Sequence, residues 1–239
     1  IGQYFGWRGV FLSGAIMTLL AIFFILRILP TQSLSTPKFN YLAVLRSLGL
    51  LWKNEPQVRG ATLTQAMLFA SFSVLWTVLP FWLAYRYDYG AGITGALAAL
   101  GLIGILCAPL AGSFSDRQGP FRMVVFGVIL MLLAWTVFWR WNSIVGMVVG
   151  ILLLDAGEQC VLIANQHTIY SLRPDARNRL NTLFMCVMFI GGACGSLTAT
   201  WLWETTHSWA LISSAGGGLV IMGMLIAVKR KYSGPYSGT

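Results

Sequence analysis

Long apolar runs broken by short polar punctuation organise this chain. Seven windows, 9–29, 63–83, 93–114, 123–139, 144–164, 183–203 and 209–228, approach the roughly 20 apolar residues that a bilayer-crossing helix needs. None alternates apolar and polar residues, as the strands of a membrane β-barrel would. In lipid each run must satisfy its own backbone hydrogen bonds, and within one segment only a helix does so. The expected fold is all-α: a polytopic transmembrane helical bundle of seven spans.

The longest connection, 30–59, has two parts. Residues 31–37 are rich in Ser, Thr and Pro and read as a linker. Residues 38–53 place Phe39, Leu42, Leu45, Leu48 and Trp52 at helical spacing, with Lys38, Arg46 and Lys53 flanking, which predicts an amphipathic helix on the membrane surface that organises the connection. In the sixth window Gly191, Gly192 and Gly195, with Thr198 and Ala199, gather small residues on one side, and Gly101, Gly104 and Gly112 do so in the third. Small side chains let membrane helices approach closely, so these are expected to be packing positions. Pro80 and Pro109 are candidates for kinks in cavity-lining helices.

Composition strengthens this picture. The 239 residues are 57% hydrophobic and 10% charged, whereas soluble domains carry about a quarter charged residues. The net charge of +9 would suit a nucleic-acid binder, but the basic residues stand singly or in small groups between apolar runs and build no continuous basic face. Thirteen of the sixteen fall in one set of loops; Arg8, Arg86 and Arg140 fall in the other. The positive-inside bias predicts a cytoplasmic C-terminus and an N-terminus outside. Trp7, Trp82, Trp139, Trp141, Trp203 and Trp209 then collect near the outer boundary, where an interfacial aromatic belt is expected. Cys107, Cys160, Cys186 and Cys194 lie in apolar runs without C-x-x-C spacing and read as reduced packing residues. No nucleophile triad, metal-ligand cluster or phosphate-binding glycine loop is present, and His167 and His207 are the only histidines; the chain is expected to be neither an enzyme nor a binder of metal or cofactor. It begins at Ile1 rather than Met and shows no signal peptide, so a fragment of a longer protein is expected.

Two motifs narrow the class. Gly6-Trp7-Arg8-Gly9-Val10-Phe11 precedes the first window, and Gly112…Asp116-Arg117-Gln118-Gly119-Pro120-Phe121-Arg122 forms a short charged turn between the third and fourth. Together they resemble the major facilitator superfamily of secondary transporters, in which a G-W-R-x-x-F segment precedes helix six and a G-x-x-x-D-R-x-G-R-R-type loop follows helices two and eight. The resemblance spans the chain and implies helices six to twelve with the N-terminal half missing: 1–29 as the end of that half, 30–59 as the central loop, 60–228 as the C-terminal six-helix bundle and 229–239 as a cytoplasmic tail. The loop departs from the family pattern at Pro120-Phe121, where one basic position is lost. Asn165-Gln166, Tyr170, Pro174, Ala176-Arg177, Arg179-Leu180-Asn181-Thr182, Gly191-Gly192 and Gly195-Ser196 resemble more closely a subgroup of bacterial inner-membrane efflux proteins. The resemblance implies that Gly112, Asp116, Arg117, Gly119 and Arg122 form a conformational gating loop whose carboxylate latches onto a helix N-terminus.

The fifth window carries the candidate chemistry. Asp155, Glu158, Gln159 and Gln166 recur within one stripe of an α-helix, with Asn165 at its margin. Intramembrane carboxylates are costly unless they face water or a partner, so the stripe is expected to line a central cavity. Two acids one turn apart cannot both ionise cheaply there, so the pair is expected to hold a coupling proton or a cationic cargo; the alternative is a structural pair bonded to neighbouring helices. The resulting expectation is proton-coupled efflux of small amphipathic compounds, with lipid, the small-molecule substrate, protons and the missing half as partners. Uptake of a sugar or organic anion is the runner-up, and a non-functional remnant is a further alternative. A seven-helix receptor fits poorly: the loop at Asp116 is too short, the last window lacks N-P-x-x-Y, and no lysine lies within a span to hold retinal.

Overall fold

A computed structural model describes residues 2–28, 41–90, 92–101, 119–172 and 176–233. These form eight α-helices and no strand: α1 (Gly2–Ile28), α2 (Tyr41–Asn54), α3 (Pro56–Tyr87), α4 (Gly92–Gly101), α5 (Pro120–Arg140), α6 (Ile144–Leu172), α7 (Arg177–Thr206) and α8 (Trp209–Ser233). The protein is thus a multi-pass helical membrane protein, with six described helices long and apolar enough to cross a bilayer. The window expected at 93–114 is described only through α4. Gly104, Cys107, Pro109, Gly112, Asp116 and Arg117 lie outside the described residues, as do Lys38 and Phe39.

The helices run past the apolar windows at several ends. α3 starts at Pro56, seven residues before its window, and α6 continues to Leu172, eight residues beyond. Hydropathy marks the hydrocarbon slab, whereas the hydrogen-bonded backbone continues until a local signal stops it. Pro56 suits the first turn of α3, where its missing N–H is no loss, and Asp88 ends the helix in a left-handed conformation with its N–H returned to the carbonyl of Ala84. Gly6, at φ 63° and ψ −174°, breaks α1 ahead of its span Arg8–Ile28, a backbone conformation that a side chain strongly disfavours. Gly119, at φ 86°, turns the chain into Pro120 at the start of α5.

α3 is the hub. It packs on α7, α8, α6 and the short α2, while α5 packs on α6 and α8. Two crossings bring backbones into contact. A Cβ at Gly195 would lie 2.2 Å from the carbonyl oxygen of Ala70, and one at Gly191 would lie 2.4 Å from that of Ala66, so α7 meets α3 backbone to backbone. Between α5 and α6, Gly127 and Gly157 stand in the same relation, each Cβ position within 2.7 Å of the other's carbonyl oxygen. Gly192 faces the ring of Phe69.

Two sequence expectations change in detail. Among the described side chains of α2 the buried one is Leu51, while Leu45, at the centre of the expected apolar stripe, is exposed. The bundle's own surface, through α3 and α7, selects which face of α2 is covered. The tryptophans do gather at one end of the bundle, but Trp82, Trp203 and Trp209 are buried rather than facing an interface. Trp82 packs on Trp209 at 4.5 Å between ring centroids, and the indole N–H of Trp209 donates to the carbonyl of Phe138 at 2.8 Å. Helix ends meeting at a common level let these rings fill each other's gaps, while Trp139 and Trp141 are exposed in the manner of a belt; the side chain of Trp7 lies outside the described residues.

Candidate functional site

The polar stripe of α6 splits in two. Asp155 and Gln159 face a cavity of about 320 Å³, whose other walls are Phe72 and Trp76 from α3 and Ala98 and Gly101 from α4. Gly101 leaves room for the acid, since a Cβ there would sit 3.0 Å from Asp155 Oδ2. Both carboxylate oxygens of Asp155 are buried without a hydrogen-bond partner among the described residues. The indole N–H of Trp76 lies close enough to influence the carboxylate but makes no well-formed hydrogen bond to it.

Glu158 turns to α3 instead. Its Oε1 accepts a hydrogen bond from Gln65 Nε2 at 2.6 Å, while Oε2 is buried without a partner among the described residues. Gln65 Oε1 in turn accepts from Asn165 Nδ2 at 3.1 Å, and Asn165 Oδ1 accepts from Arg230 Nη1 at 3.0 Å. Gln65 and Asn165 are completely buried, and Arg230 is half-buried. A four-residue polar relay therefore runs from α8 through α6 and α3 and back to α6. Gln166 is half-buried and His167 is exposed.

Sequence reasoning missed Gln65, Trp76 and Arg230. Gln65 was visible as a lone amide in an apolar run, a polar group that lipid does not tolerate without a partner. By sequence Arg230 falls in the expected cytoplasmic tail 229–239. Its aliphatic stem runs over α3 at Gly60, where a Cβ would lie 2.8 Å from Arg230 Cγ, and this contact carries the guanidinium inward to Asn165.

The same end of the bundle holds further polar contacts. Tyr170 donates to Asn181 Oδ1 at 2.6 Å and lies under the Arg177 guanidinium, tying α6 to α7. Lys231 sits over the ring of Phe121, tying α8 to α5. Of the expected gating loop, Gly119 and the exposed Arg122 are described, flanking the start of α5. Cys160 is buried, and Cys186 and Cys194 are exposed free thiols. Among the described residues no cluster of His, Cys, Asp or Glu has the makings of a metal site.

Comparison with known proteins agrees with the fold. A family model described as Major Facilitator Superfamily matches residues 1–139 and 61–237. The uncharacterized transporter YgaY of Escherichia coli (strain K12) is 36% identical over 223 residues, covering 92% of this chain and 56% of that protein. Its counterpart in Escherichia coli O157:H7 matches equally. A protein described as a probable transporter, SCO4007 of Streptomyces coelicolor, is 30% identical over 202 residues, covering 83% of this chain and 46% of its own length. The chain therefore spans about half the length of the curated relatives it matches.

Proposed function

The chain belongs to the major facilitator superfamily, and on that premise we propose that it forms helices six to twelve of a secondary active transporter that exports small amphipathic compounds against proton entry. The carrying observation is Asp155: a buried carboxylate with no hydrogen-bond partner among the described residues, on the wall of a cavity, in a membrane-spanning helix. A carboxylate so placed gains stability by taking up a proton or a cationic group. The walls offer aromatic surface from Phe72 and Trp76, suited to the apolar part of an amphipathic cargo. Glu158, held by Gln65, is the structural member of the pair, and Asp155 is the exchangeable one.

The reading places the C-terminus in the cytoplasm of a bacterial cell and the protein in its inner membrane, with the other walls of the cavity supplied by an N-terminal half, as sites at repeat interfaces require. The loop around Asp116 and Arg117 serves in this reading as the conformational latch. The test is flux in proteoliposomes containing the protein with its upstream spans, under an imposed proton gradient. Asp155→Asn should cut gradient-driven flux at least about tenfold, the loss of one essential proton-transfer group, while leaving the amount of folded protein unchanged. Wild-type flux in that variant would remove the coupling role. Substrate accumulation along the proton gradient, rather than against it, would favour uptake.

A further inference from the structure

The relay has a fixed direction. A guanidinium can only donate hydrogen bonds, and Glu158 Oε1 is an acceptor, so its two ends force the orientation of both amides between them. Arg230 donates to Asn165, Asn165 to Gln65, and Gln65 to Glu158, all in one sense. The amide dipoles therefore align head to tail between a cation and a carboxylate, the arrangement in which such bonds polarise and strengthen one another.

From this we infer that Arg230 and Glu158 are a single ion pair transmitted through Asn165 and Gln65, and that Arg230 is a positioning residue docking the end of α8 onto α3 and α6. Arg230 makes its one hydrogen bond among the described residues to Asn165. Glu158 makes its one to Gln65. Each end is thus balanced by the other through two completely buried amides; removal of Arg230 leaves the Glu158 carboxylate uncompensated in a low-dielectric interior, and removal of Glu158 leaves the half-buried guanidinium without its counter-charge. Gly60 keeps the path of the Arg230 stem open. The pairing also explains why the two acids of α6 differ: one has a counter-charge at a distance, and Asp155 has none in the relay. The inference concerns the folded bundle and stands whatever is transported.

The test is a double-mutant cycle on the melting temperature of the purified protein, read from its own tryptophans. Arg230→Met and Glu158→Gln should each lower Tm by about 4 °C or more. The two together should lower it by less than the more damaging single change, because neither end is then left unbalanced. Asn165→Leu, which cuts the relay in the middle, should abolish this non-additivity, and Arg230→Lys should recover part of the loss. Asp155→Asn combined with Arg230→Met should be additive. If Arg230→Met does not fold alone but folds with Glu158→Gln, that rescue supports the pairing. Strict additivity of Arg230→Met and Glu158→Gln, or a double variant that fails to fold where either single variant folds, overturns it.

Discussion

Helices α1 and α6 are both apolar enough to cross a membrane, yet they stand in opposite relations to the rest of the molecule. In the span Arg8–Ile28 of α1, every residue except Gly9 and Ser13 is exposed, and Phe11, Leu12, Met17, Leu19 and Leu26 are all more than 60% exposed. In α6, by contrast, Met147, Ile151, Leu154, Val161 and Ala164 are completely buried. Lipid is as apolar as a leucine core, so burial in protein cannot be driven there by hydrophobicity alone. α6 meets its neighbours through small and polar positions. α6 offers Gly157, which admits the backbone of α5, and Glu158 and Asn165, which must find partners. α1 has Ser13 and Thr18, whose hydroxyls are satisfied by the carbonyls of Val10 and Gly14 in the same helix. In α6 the small and polar positions make the contacts to neighbouring helices, whereas Gly14 of α1 meets nothing within 4 Å among the described residues, on a face that the proposed N-terminal half would cover.

The comparison can be broken most sharply with glycines. Gly195→Leu should prevent folding, or cost about 3 kcal/mol or more, because its Cβ would sit 2.2 Å from a backbone oxygen of α3 that cannot move aside. Gly14→Leu in α1, where a Cβ meets nothing within 4 Å, should leave the yield of folded protein unchanged. Size-exclusion profiles in detergent distinguish the two outcomes. Equal damage from both would mean that α1 is packed after all.

Leucine truncation comes next in size. Leu154→Ala should cost about 2–5 kcal/mol as a core cavity, and Leu19→Ala about 0.5 kcal/mol or less, by thermal unfolding. Repeating Leu19→Ala in a protein that carries upstream spans sharpens the comparison: a rise in its cost there would show that the proposed N-terminal half covers this face. The smallest effect concerns single hydrogen bonds. Trp135 Nε1 donates to Ser71 Oγ at 2.7 Å, and Ser71 passes the bond to the carbonyl of Gly216 at 2.9 Å, joining α5, α3 and α8. Trp135→Phe should cost about 1 kcal/mol from that bond, whereas Thr18→Val in α1 should be nearly silent in the same unfolding measurement.

The sequence by itself determined the helices, the membrane and the family. A run of apolar residues long enough for the bilayer leaves the backbone one solution, so α1, α3, α5, α6, α7 and α8 were legible before any coordinates. The positions of Asp155, Glu158, Gln159 and Gln166 on one stripe were legible too, because helical periodicity fixes a face within a single helix. It could not say that the stripe would divide, with Asp155 and Gln159 on a cavity and Glu158 on Gln65. Nor could it show that Arg230 reaches inward instead of trailing from the last helix. Those contacts join residues 93, 100 and 65 positions apart, and which faces of two helices meet depends on the closest approach that their small residues allow. Periodicity is a property of one helix. Pairing is a property of the packed bundle, and only the tertiary structure decides it.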